Sequence, residues 1–202
     1  MVWFVIPIVI AYLLGSVSFS FLAGKLLKGI DIRNHGSGNA GATNTMRVLG
    51  VGPGIAVLLL DAMKGIIAVL LGRWLGDGGA LLLVLCGVAA IVGHNWPVYF
   101  GFRGGKGIAT TIGVMLTLAP LPAVFAGIVC ILAIAATRYV SLGSLLFTAL
   151  LPIFVWFMHF PVEVFCFSLV VFAFAWFRHR SNIIRLVQGN ENRLGSRKNN
   201  SG

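Results

Sequence analysis

The stretch Gly79–Gly107, GALLLVLCGVAAIVGHNWPVYFGFRGGKG, contains both features that decide the fold of this chain. Its first half is an uninterrupted apolar run, and its second half is crowded with glycine, aromatic and basic residues. A helix that is apolar on all sides is typical of a segment surrounded by lipid or protein. The stretch therefore indicates a membrane helix that ends in a glycine-rich polar loop.

The rest of the chain repeats this alternation. Hydrophobic residues make up 58% of the 202 residues and charged residues only 10%, whereas about a quarter of a soluble domain is charged. We predict an all-α polytopic membrane bundle of about seven transmembrane helices, with one domain over residues 1–190 and a polar, flexible tail over 191–202. Several runs are shorter than the ~20 residues that a span needs, so five or six spans remain open if the short runs are re-entrant. The apolar runs are 2–24, 51–72, 79–92, 108–120, 122–137, 142–159 and 162–177.

The basic residues set the expected orientation. The chain has 15 lysines and arginines against 5 acidic residues, and its net charge is +10. With the amino terminus outside, all of the basic residues fall on the inner side except Arg73 on the outer side and Lys64 within a span. An excess of Lys and Arg marks cytoplasmic loops, so we predict an external amino terminus and a cytoplasmic carboxyl terminus. Nucleic acid is not expected as a partner, because the basic residues are interleaved with spans.

The first cluster of polar residues, 36–44, has the sequence GSGNAGATN. Glycines let a backbone approach a ligand closely, and a helix that begins near Thr43 would direct free N–H groups at an anion. Arg47 follows one turn later. The alternative is a glycine-rich turn with asparagine caps. The candidate ligands in this cluster are Gly36, Ser37, Gly38, Asn39, Gly41, Thr43 and Asn44.

The second cluster, 93–107, places two cations among glycines directly before an apolar helix. Arg103 and Lys106 flank Gly104 and Gly105, and Gly107 precedes the helix. Cations beside a helix N-terminus are typical of phosphate binding. Positive-inside signalling explains the two charges but not the glycines around them.

The third cluster, 178–182, has the sequence RHRSN and ends the last apolar run. His179 lies beside two cations, which disfavour its imidazolium form. A neutral imidazole could donate to or accept from a reacting hydroxyl. The alternative is a helix end that merely carries basic residues.

Two ionisable residues lie inside the second apolar run. Asp61 and Lys64 are three residues apart and so share a helix face, and ionisable residues within a membrane usually pair inside the bundle. We expect a structural ion pair, with direct ligand contact as the alternative. The chain has no HExxH, GxSxG or Cys/His ligand set, so neither a metal nor another cofactor is expected.

These segments resemble the PlsY family of bacterial membrane acyltransferases. The resemblance rests on the first cluster, on the second cluster and on the stretch from His179 to Glu191, with Asp61–Gly65 and Arg138–Ser141 as lesser signatures. It implies a seven-helix enzyme of the bacterial plasma or inner membrane. That enzyme would transfer a fatty acyl group from acyl phosphate to the 1-hydroxyl of glycerol 3-phosphate, with lysophosphatidic acid and phosphate as products and no known protein partner.

The residues fit that chemistry, because two phosphorylated substrates need two anion sites. We expect the polar residues of the first cluster to surround the acyl-phosphate headgroup. Arg47, Arg103 and Lys106 would neutralise the phosphates, with help from Ser141 and Ser144. His179 and Asn182 would orient the attacking hydroxyl, and the proton acceptor is either His179 or the donor's phosphate. The residues expected to be catalytic are His179, Asn182, Ser37 and Lys106, and those expected to be structural are Asp61, Lys64 and Glu191.

Two other classes of protein remain open on the sequence. A carrier for a phosphorylated solute or lipid would also use basic, glycine-rich helix breaks, but it needs polar residues that continue to the outer face. A non-catalytic scaffold would leave the anion chemistry of the three clusters unexplained.

Overall fold

The structure, a computed structural model, describes residues 2–76 and 78–195. This part of the chain is helical and contains no strand. Short 3₁₀ turns at Ile32–Asn34 and Val98–Phe100 interrupt two of the connections. The α-helices are α1 (Val2–Gly15), α2 (Phe19–Lys28), α3 (Ala42–Leu49), α4 (Val51–Leu75), α5 (Ala80–Asn95), α6 (Ile108–Leu118), α7 (Pro120–Thr137), α8 (Val140–Phe157), α9 (Val162–Arg178) and α10 (Arg180–Val187).

Each predicted apolar run is largely helical, although residues 16–18 interrupt the run 2–24, and the multi-pass membrane architecture is confirmed. Within the described residues, five segments are long and apolar enough to cross a membrane: α1 with α2, α4, α5 with the turn after it, α7, and α8. The pair α9 and α10, bent by 63°, makes a sixth if it is one span. The exact number of spans and the orientation stay predictions.

Helix α6 is apolar but is too short to cross a membrane by itself. Its 11 residues rise about 16 Å, roughly half of the ~30 Å hydrocarbon core. A lipid-exposed loop at that depth would leave backbone groups without partners, so the polar cluster before α6 has to be covered by protein. The short helix therefore brings the second cluster inward, among the other helices.

Small residues set the helix crossings. A Cβ added at Gly65 or Gly113 would meet the backbone of the opposite helix where α4 crosses α6. Gly15 and Gly93 have the same role where α1 crosses α5. Close backbone approach at small residues is a usual way in which membrane helices pack, because lipid supplies no hydrophobic drive between them.

The first span is broken between α1 and α2, and a buried ion pair lies at the break. Lys64 Nζ donates to the carbonyl of Val17 at 2.8 Å and contacts Asp61 Oδ1 at 2.7 Å. His94 Nδ1 lies 3.5 Å from the same carboxylate oxygen. The side chains of Asp61 and Lys64 are each 1% exposed. The geometry is that of the expected ion pair, which here satisfies a carbonyl freed by the helix break.

The segment predicted as a flexible tail begins with defined contacts. Leu194 N donates to the carbonyl of Arg138 at 2.7 Å, and the Arg138 guanidinium donates back to the Leu194 carbonyl at 2.7 Å. Glu191 is buried. Residues 196–202 of that tail lie outside the described residues.

Candidate active site

Asn44 holds the first cluster in shape. Its side-chain oxygen accepts from the backbone N–H of Ser37 at 2.8 Å, and its NH₂ group donates to the carbonyls of His35 at 3.0 Å and Ile32 at 3.2 Å. The buried amide of Asn44 is thus engaged inside its own loop, whereas Ser37 is exposed. The loop presents Ser37 and keeps Asn44 as its internal support.

The second cluster folds back on the end of α5. Gly104 N donates to the carbonyl of Asn95 at 3.2 Å, and Gly105 N donates to that of His94 at 3.1 Å. A Cβ on Gly105 would collide with His94 Nε2 and would lie 2.8 Å from the carbonyl oxygen of Ala40. The first and second clusters therefore meet at Gly105, with no space for a side chain between them.

The N-terminus of α6 faces this meeting point. Gly107 is the residue before α6, it has a φ of 83°, and no side chain caps the helix. Glycine reaches such a left-handed conformation without strain. The first-turn N–H groups of a helix have no partners within it, so they remain free to bind an anion.

Lys106 joins the second cluster to the third. Its ammonium group donates to Asn182 Oδ1. Asn182 Nδ2 donates to Glu191 Oε1 at 2.7 Å, and Arg185 Nε donates to Glu191 Oε2 at 2.8 Å. Asn182 and Glu191 are buried. The chain of contacts orients the ammonium of Lys106 and the amide of Asn182 toward each other.

Burial and the cations around Lys106 lower its pKa. The pKa of Lys106 is lowered to about 8, first by burial, while the Glu191 carboxylate opposes this and Arg185, Arg178 and Arg47 add to it. An ammonium with fewer waters and several cationic neighbours gains more from a bound phosphate than an exposed one. The pocket thus has unbalanced positive charge that an anion would neutralise.

His179 follows the last residue of the α9 span and is neutral at physiological pH. Its pKa is lowered to about 4, first by burial and then by the charges of Lys106 and Arg178, while the Ala175 carbonyl opposes the shift. His179 Nδ1 lies 2.8 Å from that carbonyl oxygen, which can only accept. In the neutral ring the proton therefore resides on Nδ1, and Nε2 has a free lone pair.

Three other predicted residues differ from one another in their surroundings. The pKa of Arg47 is lowered first by burial, while the charge of Glu191 opposes this shift and that of Arg185 adds to it, so Arg47 belongs to the same electrostatic site. Arg103 has an exposed side chain, which makes no hydrogen bond to the described residues. Ser144 donates to the carbonyl of Val140 within α8 at 2.9 Å.

Four further members of the predicted set have other surroundings. The hydroxyl of Ser141 is buried and without a partner in the described part of the chain. Asn39 and Thr43 are partly exposed on the first cluster. Gly36 packs against the amide of Asn44, with which a Cβ there would collide.

Sequence reasoning missed Arg33 and Arg178, which contact the backbone of the second cluster. Arg33 Nη1 donates to the Phe100 carbonyl at 2.7 Å, and Arg178 Nη2 donates to the Gly105 carbonyl at 2.6 Å. Both arginines stand among other basic residues in polar segments that follow apolar runs. No signal in the sequence separates an arginine that holds a carbonyl from one that only contributes positive charge to such a segment.

The comparisons with known proteins agree over nearly the whole length. The family model described as glycerol-3-phosphate acyltransferase matches residues 5–189. The chain belongs to the glycerol-3-phosphate acyltransferase family. It is 56% identical over 194 residues to the glycerol-3-phosphate acyltransferase of Halalkalibacterium halodurans, with 93% of this chain and 94% of the relative covered. The enzyme of that name from Shouchella clausii is 55% identical over 195 residues, with coverage of 94% and 95%.

Solved structures of the family share the fold. The crystal structure of PlsY, an integral membrane glycerol 3-phosphate acyltransferase, in its glycerol 3-phosphate form superposes with a TM-score of 0.90 at 41% identity. The superposition covers 95% of this chain and 96% of the crystallised chain. The lysophosphatidic acid form gives a TM-score of 0.87 at 40% identity and covers 95% of each chain. The resemblance to the PlsY family and the all-helical membrane fold are both confirmed.

Proposed function

We propose that this protein is a membrane acyltransferase that transfers a fatty acyl group from acyl phosphate to the 1-hydroxyl of glycerol 3-phosphate. The products are lysophosphatidic acid and inorganic phosphate. Family membership over nearly the whole length supports the reaction. The observation that carries the assignment of the site is the contact of Lys106 with Asn182, next to His179, where the three polar clusters converge.

The donor needs little activation, because acyl phosphate is a mixed anhydride. The oxygen of the 1-hydroxyl forms a bond to the acyl carbon, and the bond between that carbon and the phosphate oxygen breaks. The enzyme then contributes positioning and stabilisation of negative charge on the carbonyl and on the departing phosphate. Lys106, Arg47 and the N-terminus of α6 supply that positive potential.

Asn182 and His179 orient the attacking hydroxyl. Because the proton of the neutral imidazole lies on Nδ1, the free Nε2 can accept the hydroxyl's hydrogen bond. The hydroxyl proton passes either to Nε2 or to the leaving phosphate. Turnover by His179→Ala at the wild-type rate would remove this residue from the mechanism.

The other members of the site have supporting roles. Ser37, Asn39 and Thr43 line the exposed side of the first cluster and contact the acyl-phosphate headgroup, with Gly36, Gly38 and Gly41 giving the ligand access to the backbone. Asn44 maintains the loop. Ser141, whose hydroxyl has no partner among the described residues, assists from α8, whereas Ser144 and Arg103 contribute at the edge of the site.

The acyl chain lies between helices, where the bundle is apolar. A cleft between α5 and α9 is lined by Val88, Ile91, Phe167, Val171 and Phe174 among others. Phe174 contacts the ring of Trp96, above which the guanidinium of Arg178 lies. The cleft thus leads from the membrane interior toward the second cluster.

We place this site on the cytoplasmic side of a bacterial plasma or inner membrane. The excess of lysine and arginine in the connections that carry the three clusters supports that side. Glycerol 3-phosphate is water-soluble and would reach the site from there.

The purified protein, with palmitoyl phosphate and glycerol 3-phosphate, tests the function directly. We expect lysophosphatidic acid and phosphate in equal amounts, with both products dependent on the acceptor. Asn182→Ala serves as the site control and should lose most of the activity. Phosphate release without an acylated acceptor would contradict the proposal, and the absence of any product would favour a carrier.

A further inference from the structure

The loop that carries Lys106 depends on other segments for its position. Residues Phe100–Gly107 contain glycine at 101, 104, 105 and 107, so their backbone has little stiffness of its own. Gly104 and Gly105 direct their N–H groups to the end of α5. The carbonyl groups of Phe100 and Gly105 accept hydrogen bonds from two arginines that lie in distant segments of the chain.

Arg33 holds the loop from the side of the first cluster. Its Nη1 donates to the carbonyl of Phe100 at 2.7 Å and approaches that of Arg103 at 3.4 Å. The other edge of the guanidinium pairs with Asp31, with Nε–Oδ1 at 2.9 Å and Nη2–Oδ2 at 2.8 Å. The pairing lowers the pKa of Asp31 to about 2. The guanidinium also lies 4.8 Å from the ring centroid of Phe21, so its position is fixed on three sides.

Arg178 holds the same loop from the side of the third cluster. Its Nη2 donates to the carbonyl of Gly105 at 2.6 Å, directly before Lys106 in the chain. The guanidinium lies 5.3 Å from the ring centroid of Trp96, which follows α5. Lys106 itself reaches Asn182 in the third cluster. Arg178 thus fixes the distance across which that contact is made.

We propose that Arg33 and Arg178 are positioning residues, which hold the 100–105 backbone by its carbonyl groups and so place Lys106 against Asn182. The inference rests on the proposed function. Positive-inside signalling explains only why these two residues are basic. The inference adds a specific role for each of them. Guanidinium suits the role because it donates in several fixed directions at once, whereas an ammonium is a point charge.

Two neighbouring cations provide matched controls. Lys25 lies 6.0 Å from the same Phe21 ring as Arg33, and Arg180 is two residues from Arg178. Arg180 contacts the carbonyl of Phe177, near the end of α9, at 3.4 Å. Neither side chain makes a hydrogen bond to the 100–105 backbone in the described structure. Replacing either control residue by alanine removes one positive charge, as do the substitutions of Arg33 and Arg178, but it leaves the hydrogen bonds to the loop's carbonyl groups intact.

The experiment compares Arg33→Ala and Arg178→Ala with Lys25→Ala and Arg180→Ala, using the purified protein in lysophosphatidic acid formation. We expect kcat/KM of Arg33→Ala and of Arg178→Ala to fall by about 10- to 100-fold, because a reacting group is then misplaced. The KM for glycerol 3-phosphate should rise in both variants. The controls should stay within about twofold of the wild type. The unfolding temperatures of all four should change little, because the Asp31–Arg33 pair is partly exposed and such pairs add little stability.

Rescue separates positioning from folding. Free guanidinium ion should raise the turnover of Arg178→Ala several-fold and should not raise that of Arg180→Ala or the wild type. Arg33→Lys and Arg178→Lys should be more active than the alanine variants, since one donor remains. Wild-type kinetics in both alanine variants would overturn the proposal. Activity lost only in proportion to folded protein, with KM unchanged and no rescue, would also overturn it. An inactive wild type would instead refute the proposed function.

Discussion

At the scale of single residues, the site depends on positions that have no side chain. Gly105 lies between the His94 ring and the Ala40 carbonyl, and its own carbonyl accepts from Arg178. A substituent there has to displace either the imidazole or the first cluster. The backbone at Gly105 therefore determines where the next residue, Lys106, points.

Gly105→Ala should reduce kcat/KM at least about tenfold, because the added methyl group moves Lys106 away from Asn182. Gly127→Ala is the matched control, since a Cβ at Gly127 in α7 meets nothing within 4 Å. Steady-state kinetics on both variants checks the prediction. Equal activity of the two variants would show that the close contact at Gly105 has no influence on the reaction.

The pKa of Lys106 gives a pH dependence with a definite sign. The free enzyme has its ammonium charged below about pH 8 and progressively neutral above it. Phosphate binding needs the charge, so kcat/KM for the substrate that Lys106 contacts should fall about tenfold between pH 7 and pH 9. Lys106→Arg should abolish this alkaline limb, because a guanidinium stays charged. The same limb in that variant would assign the titration to another group.

Charge and glycine spacing in the sequence are enough to group some residues into one candidate site. They give no information about residues whose partner is a backbone carbonyl. Lys106, Asn182 and His179 were expected in one site and lie together. Asn44 was expected to contact the ligand, but its amide is engaged by its own loop. Arg33 gave no signal at all, since the Phe100 carbonyl that it contacts is far away in sequence.

At the scale of helices, the break between α1 and α2 is the least regular feature of the bundle. Lys64 supplies the hydrogen bond that the broken helix leaves open at Val17, and Asp61 balances its charge. The apolar run 2–24 contains only isolated serines at this point, which a membrane helix also tolerates. The sequence therefore indicated one continuous helix, and the break follows from a tertiary partner on α4.

Asp61→Asn should lower the free energy of unfolding by about 3–5 kcal/mol, because the ammonium of Lys64 then stays buried without its counter-ion. The double variant Asp61→Leu with Lys64→Met should recover part of that loss, as a buried pair often tolerates apolar replacement. Unfolding in detergent, followed by circular dichroism, measures both. A single variant as stable as the wild type would contradict the ion-pair role.

At the scale of the whole molecule, alternating apolar runs and basic connections define a bundle whose chemistry collects at one end. Composition and the bias of lysine and arginine toward some connections were enough to predict the helical membrane fold. Both features are imposed by the lipid bilayer that surrounds the helices. The 63° bend between α9 and α10 was not predictable. Asn182 lies just after that bend, and its contact with Lys106 joins segments that are far apart in the sequence.

The orientation can be tested with cysteines introduced into a variant that lacks the native three. Leu26→Cys and Val187→Cys place exposed thiols at the end that carries the clusters, and Trp74→Cys places one at the other end. In intact cells, a membrane-impermeant maleimide should label only the third. Labelling of the first two without permeabilisation would reverse the assigned topology.

In the proposed mechanism, one pocket holds the two phosphorylated substrates together. Equilibrium binding of radiolabelled glycerol 3-phosphate to the purified protein, with and without a saturating, unreactive acyl phosphonate, measures this. The expected result is one equivalent of glycerol 3-phosphate per chain under both conditions, and a loss of that binding in Lys106→Ala or Asn182→Ala. Displacement of glycerol 3-phosphate by the phosphonate would show that the two ligands share a single anion site, and it would contradict the account.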